Sequence, residues 1–337
     1  MKLRQIAVVL AALVLLFAAG CSEDASSKAP QKTMTETQAI ATRPLCVGRF
    51  LIDAPADAKV VWTSTETHAA GEIAAPISSD ERGFERLMAS TEAELRTQTH
   101  YEETTRFKEV IAPDQATRVF VYRGDSIDTT GFQLDGYVLK GQTVFKVRGF
   151  ANNDLLARAK SRVSNGLRNI LPRETWTIPT EPGFCFDGGF LPGGDGGFEA
   201  TGVQLKFKAY PGLVVFMETR VRSASPVEEA SLIERTDAAM KLMDTSDKPT
   251  VLRRRSDRRV AFGIAEEVLW KHHQGDYYAL KGDVEMSGVN GATDKPDVAF
   301  GIVLDPLKDG TEQPEEGDVL RLLDSMVDSL RLRPGAV

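Results

Sequence analysis

Few residues of this chain have the type and spacing that chemistry needs. His272-His273 is the one pair among four histidines. Neighbours on a strand point to opposite faces, so the pair reads as a surface turn before Gly275-Asp276 rather than a metal site. Adjacent carboxylates stand at Glu102-Glu103, Glu266-Glu267 and Glu315-Glu316. General acid–base work needs two carboxyls in one cleft, which adjacency does not provide, and the last pair opens a helix, where acids complement the dipole. No Gly-x-Ser-x-Gly elbow, His-Glu-x-x-His helix or Cys-x-x-Cys pair occurs. Gly188-Gly189 and Gly193-Gly194-Asp195-Gly196-Gly197 fit neither the dinucleotide fingerprint nor the Walker phosphate loop, and a strand follows them. They read as a loop. These residues imply no enzyme, cofactor or metal.

Two features suit contact rather than catalysis. The run Arg253-Arg254-Arg255-Ser256-Asp257-Arg258-Arg259 could steer an acidic partner or lie on lipid phosphates. It also suits a solvated edge around a turn, where charge blocks strand pairing. Trp270 and Tyr277-Tyr278 could form an adhesive patch, although one face of that strand must be core.

The elements that would position these residues begin after an address. Lys2 and Arg4 precede an apolar run from Ile6 to Phe17 and then Ala18-Ala19-Gly20-Cys21, a secretory signal over residues 1–20. The Ala-Gly-Cys ending resembles a bacterial lipobox, with Ala18 where leucine is favoured, which makes Cys21 the lipidated residue. By the sorting convention for such lipoproteins, Ser22 after the cysteine implies the outer membrane. Residues 21–43 carry no apolar periodicity and read as a lipidated flexible tether, spanning roughly 25 Å.

The 337-residue chain is 42% hydrophobic and 26% charged, too apolar to be wholly disordered. Its formal charge is −7, and loss of Lys2 and Arg4 with the leader takes it to −9. That balance argues against a nucleic-acid partner.

After the tether one pattern occurs twice. Strand-like segments lead from Cys46-Val47-Gly48-Arg49-Phe50 and Val60-Val61-Trp62 to a helix carrying Phe84, Leu87, Met88, Thr91 and Leu95 on one face. Strands near 117–123, 132–140 and 143–150 follow, then a helix with Leu156, Ala159, Val163 and Leu167, ended by Pro172. The second pass starts at Phe184-Cys185-Phe186. It continues through strands near 203–208 and 213–221 and a helix over 227–243, then strands near 259–270, 277–287 and 297–304. Its last helix repeats the first helix's offsets at Val319, Leu322, Leu323, Met326 and Leu330. The expectation is an α+β fold of two tandem, related domains, residues 44–176 and 177–337. Each is expected to be an antiparallel sheet with its helices on one face. Cys46 and Cys185 sit near the start of each unit. They are either a disulfide, as an oxidising compartment permits, or two buried thiols.

The domain openings carry a resemblance. Cys46-Val47-Gly48-Arg49-Phe50-Leu51-Ile52-Asp53-x-Pro55 resembles the start of the amino-terminal domain of type VI secretion immunity proteins that protect against lipase effectors. Gly183-Phe184-Cys185-Phe186-Asp187-Gly188-Gly189-Phe190 resembles the start of their carboxy-terminal domain. The stretch from Val251-Leu252-Arg253-Arg254 to Glu266-Glu267 is similar too, with Ala265 in place of glycine. The resemblance implies a periplasmic, lipid-anchored inhibitor without catalysis, which binds a cognate phospholipase effector and blocks its active-site entrance with two arms. A general envelope lipoprotein without a toxin partner is the alternative. Partner contacts are then expected in loops 124–131, 188–197 and 271–277, with Arg254, Trp270 and Tyr277 as candidates, because arginine and aromatic residues dominate binding hot spots.

Overall fold

The computed structural model describes residues 41–337 apart from 64, 194–196, 224–228, 244–247, 275–276 and 306–311. The leader, Cys21 and most of the tether lie outside the described residues. The amino-terminal half runs β1 (Thr42–Val47), β2 (Phe50–Pro55), β3 (Lys59–Trp62), β4 (Thr65–His68), β5 (Gly71–Ser78), α1 (Glu81–Thr97), β6 (Phe107–Asp114), β7 (Thr117–Arg123), β8 (Gly131–Lys140), β9 (Thr143–Asn152), α2 (Leu156–Asn169) and β10 (Leu171–Pro172). The carboxy-terminal half runs β11 (Gly183–Phe186), β12 (Gly189–Pro192), β13 (Ala200–Lys206), β14 (Leu213–Arg220), α3 (Leu232–Leu242), β15 (Thr250–Val260), β16 (Gly263–Gln274), β17 (Tyr277–Met286), β18 (Asp297–Leu304), α4 (Glu316–Asp328) and β19 (Arg331–Leu332).

The α+β class and the antiparallel pairing are as expected. The two sheets meet edge to edge in one 13-stranded ladder, ordered β15-β16-β17-β18-β14-β13-β4-β5-β9-β8-β7-β6, with β3 also on β13. The seam is narrow on the β4 side, a single pair Ala200↔Thr67, while β3 adds four pairs from Val203↔Trp62 to Lys206↔Lys59.

The helices, expected together on one face, divide between the two. In β7, Val119 and Val121 pack with Ala159, Val163 and Leu167 of α2, whereas Phe120 and Tyr122 pack with Phe84, Met88 and Leu95 of α1. Alternation sends successive side chains to opposite faces, so an unbroken apolar run needs cover on both. The carboxy-terminal half repeats the arrangement. Leu269 joins the core under α4, while the neighbouring Glu266 meets the first turn of α3, accepting from Ile233 N at 2.8 Å.

Each half's opening hairpin is seated in the other half. The β1–β2 hairpin buries Leu45, Val47, Phe50 and Ile52 in the core formed by the carboxy-terminal sheet and α4, and β2 pairs with the last strand, β19. The β11–β12 hairpin buries Phe184, Phe186 and Leu191 among α2 and the amino-terminal sheet, and β12 pairs with β10. This is the intrachain counterpart of domain swapping. The backs of the hairpins meet each other, with Cys46, Leu51, Cys185 and Phe190 in one small cluster. There the structure bonds Cys46 to Cys185, with Cα atoms 6.0 Å apart. The turn of the first hairpin docks alongside, Gly48 N donating to Cys185 O (3.0 Å) and Cys185 N to Gly48 O (2.8 Å). Both hairpins turn in two residues, with Gly48 at φ +59° and Gly188 at φ +62°, the left-handed region that tight hairpins require. The described residues from 41 onward consequently form one compact unit.

Three buried arginines close the crossing. Arg49 binds Glu199 in a two-pronged pair (Nε–Oε2 2.8 Å, Nη2–Oε1 2.7 Å). Arg333 donates to Pro179 O, Glu181 O and Gly183 O at 2.7–2.8 Å. Arg173 donates to Gly189 O, Phe186 O and Thr177 O at 3.0–3.2 Å. Backbone bonds repeat the symmetry: Arg173 N reaches Gly188 O in one hairpin turn, and Arg333 N reaches Arg49 O in the other (2.8 and 2.9 Å).

A crosslink between residues 139 apart in sequence restricts the unfolded chain over a long loop. The variant with Cys46→Ser and Cys185→Ser together is expected to lose about 3 kcal/mol of stability, read as a lower urea midpoint.

Candidate partner-binding surface

Arg254, Trp270 and Tyr277 share a sheet face. Arg254 pairs with Val268, Trp270 lies two residues along β16 with Lys281 opposite, and Tyr277 faces Gln274 at the hairpin end. This is the α3 side, away from the main carboxy-terminal core. Trp270 and Tyr277 are half-buried, about 14 Å apart along the strands at roughly 3.4 Å per residue. Arg254 reaches across to Asp237 of α3 at 2.7 Å, both side chains being about half exposed. Tyr278 points the other way, into the α4 core, where its hydroxyl donates to Pro314 O.

Where α3 begins it stands off the sheet, leaving a cleft of about 790 Å³. Carboxylates outnumber cations in its lining, which includes Glu218, Glu285, Asp297, Arg220 and Arg235. Two ion pairs lie within it: Arg235 holds Glu285 at 2.7 and 2.8 Å, and Arg220 lies 3.8 Å from Asp297. Further along β17, burial and then the neighbouring Glu285 push the Asp283 carboxyl up to about 6. Among the described residues, neither histidine nor cysteine lines the cleft and no three metal-ligating side chains converge. Its chemistry is that of polar contact.

The basic run serves mainly as structure. It forms the edge strand β15, broken by bulges between Val251 and Arg253 and between Arg255 and Arg258. Its inward arginines converge on Glu267, which is fully buried. Arg253 and Arg258 each lie 3.1 Å from Glu267 Oε1, and Arg255 Nε donates to Oε2. Arg253 and Arg258 continue to Asp324 and Asp328 of α4 at 2.7–3.0 Å. Burial works to raise the Glu267 carboxyl, yet hydrogen bonds and charges from Arg255, Arg258 and Arg253 hold it below the usual range. Glu266 and Glu267 thus point to opposite faces with unrelated partners, and His272 and His273, which lie in β16 and not in a turn, also face opposite ways.

The predicted loops do not share one location. Of 271–277, the described residues are strand, ending β16 and beginning β17 near one edge of the ladder, and loop 124–131 tips β7–β8 near the other. The described part of 188–197 belongs to the hairpin crossing, where Gly193 O accepts from Arg49 (3.3 Å). Nearby, burial pushes Glu66 up to about 8. Its carboxyl accepts from Thr201 Oγ1 (2.5 Å) and Asp187 N (3.0 Å). Burial, then the Arg49 charge, pulls His68 down to about 4, so its 3.7 Å approach to Glu199 is made by a neutral ring at pH 7.

Residues 43–164 match the family model for the Tle cognate immunity protein 4 N-terminal domain, and residues 177–335 match the C-terminal domain model. The chain belongs to the Tle cognate immunity protein 4 family. That is a family of immunity proteins, not of enzymes. The apo immunity protein TplEi of the Pseudomonas aeruginosa type VI secretion system is 24% identical, with a TM-score of 0.74 over 87% of this chain and 97% of that one. A chain of the Tle4–Tli4 complex is 24% identical, with a TM-score of 0.75 over 87% and 98%. TplEi complexed with an "L" peptide gives 23% and 0.70 over 87% and 98%. At these identities the likeness is one of fold. No curated protein matches the chain in sequence. Within the family's carboxy-terminal domain, then, the basic run is a brace between β15 and α4, and Arg254 and Arg259 are its outward members.

Glu267→Gln is expected to cost about 3 kcal/mol, because three guanidinium groups lose their buried counter-charge. Arg254→Ala leaves stability unchanged, since exposed pairs contribute little. Denaturant unfolding of both variants checks the contrast.

Proposed function

We propose that this immunity protein binds the type VI phospholipase effector of its own cell in the periplasm and blocks its active-site entrance without chemistry. The observation that carries the reading is that both family domains are matched in order, covering nearly all of the mature chain. The domains are assigned to residues 44–176 and 177–337, acting as two arms. The exchanged hairpins support arms of fixed relative geometry, since each opening hairpin is core to the opposite half.

The leader and lipobox support reading the chain as a lipoprotein. Acylation of Cys21 anchors it, with Ser22 favouring the outer membrane, and the tether lets the folded part work away from the lipid surface. Several buried acyl chains at about 0.8 kcal/mol per CH₂ hold such an anchor firmly. A lipase acts at that membrane, so the anchor keeps the inhibitor where the damage would occur. Occlusion by two arms requires a standard-size interface or larger, on the order of 1,600 Å².

The soluble fragment 22–337, titrated into the purified lipase encoded by the neighbouring gene, is expected to abolish phospholipid hydrolysis with a break near one to one. Full hydrolysis at excess inhibitor, with no co-elution, contradicts the proposal.

A further inference from the structure

Beyond the end of β7, two loops of the amino-terminal half are tied into one body. Tyr101 N donates to Ser126 O (2.7 Å), and the buried His100 brings Nε2 to 3.2 Å from Asp128 O. Arg106 Nη2 donates to Arg123 O (2.8 Å) and Gly124 O (2.6 Å). Loop 124–131 is braced from within. Asp125 Oδ1 accepts from Ile127 N and Asp128 N (2.8 and 2.6 Å), and Asp128 Oδ1 accepts from Thr130 N and Gly131 N (2.8 and 2.9 Å).

This well-bonded body holds two large apolar side chains in water. Tyr101 is 81% exposed and Ile127 is 73% exposed. Exposed apolar residues scattered singly need no explanation, but Tyr101 and Ile127 stand on two loops that are bonded to each other, which brings them together on one braced tip. Bracing also removes the ordering cost that a flexible loop would meet on binding. Tyrosine is enriched at the centres of such contacts.

The acids at the exposed tip select the occupant, because the cations nearby are already taken up, Arg106 by the carbonyls of Arg123 and Gly124, and Arg123 and Lys108 by Glu103. Glu102 and Asp125 are exposed beside the pair. Asp128 is held below the usual carboxylate range by donation from Thr130 and Gly131, so it stays ionised. An anionic bilayer surface repels such a rim, and in a two-fold dimer of this chain the same acids would face each other. A protein surface with an apolar patch and basic flanks fits.

We propose that this tip is the amino-terminal half's contact with the effector, seating Tyr101 and Ile127 in an apolar patch flanked by basic side chains. The assignment rests on the inhibitory reading above.

The test uses fragment 22–337 and the lipase of the neighbouring gene, with affinity measured by calorimetric titration. The variant carrying Tyr101→Ala and Ile127→Ala together is expected to raise Kd about 30-fold or more. Its thermal midpoint should stay within about 2 °C of the parent, because both side chains are exposed. Ile77→Ala, at an exposed apolar residue of β5 near the opposite end of the amino-terminal sheet, is expected to leave Kd unchanged. Parent and double variant binding alike overturns the tip while leaving the inhibitory reading intact, and a parent that does not bind overturns both. Two further results overturn the tip in favour of another occupant. One is unchanged effector affinity with lost sedimentation on phosphatidylethanolamine–phosphatidylglycerol vesicles. The other is unchanged effector affinity with loss of a concentration-dependent dimer in light scattering.

Discussion

The hairpin exchange is the constraint on which the remaining structure depends. β1–β2 supplies Leu45, Val47, Phe50 and Ile52 to the carboxy-terminal core, and β11–β12 supplies Phe184, Phe186 and Leu191 to the amino-terminal one. Neither core is complete without a segment from the opposite half. The Cys46–Cys185 bond joins the hairpins where they cross, and paired backbone bonds between Gly48 and Cys185 fix their register. A tandem repeat that would otherwise be two domains on a linker becomes one frame.

The buried charges follow from that frame. A crossing chain brings turns and strand ends into the interior, where carbonyls require donors. Arg49, Arg173 and Arg333 supply them. A guanidinium carries five N–H donors in a fixed fork, which suits it to gathering several carbonyls at once. Only Arg49 also meets a buried carboxylate in a two-pronged pair, Glu199. The second polar centre, around Glu267, fastens the edge strand β15 to α4 by the same means. Surface left over for a partner therefore lies on the α3 face and at the loop tips.

The fold was legible where one face was apolar and the other polar. Phe84, Met88 and Leu95, or Val319, Leu322 and Met326, disclose their helices because a 3.6-residue period survives any packing partner. The exchange was not legible. Leu45-Cys46-Val47 reads as a strand buried on both faces, and nothing in that run says which half covers each. The division of helices between faces left a trace in Val119-Phe120-Val121-Tyr122, whose unbroken apolar run calls for cover on both sides. β15 is an 11-residue strand at the edge of the ladder, so the charged edge read from the sequence holds and the turn does not. Its arginines hide the β pattern, and two bulges interrupt its alternation. Of the candidate contacts, Arg254, Trp270 and Tyr277 do share a face, but the inward half of the arginine run could not be recognised as structural without Asp324 and Asp328 beside it. Tyr101 sits in a stretch with no periodicity, and the bonds that tie it to the loop carrying Ile127, its own to Ser126 and that of His100 to Asp128, have no signature in the sequence.

Scanning calorimetry of fragment 22–337 with its disulfide intact tests the single-frame claim most directly. Mutual completion of the cores predicts one unfolding transition, with the calorimetric enthalpy equal to the van't Hoff enthalpy. Two resolved transitions, each with the enthalpy of about half the chain, would contradict it.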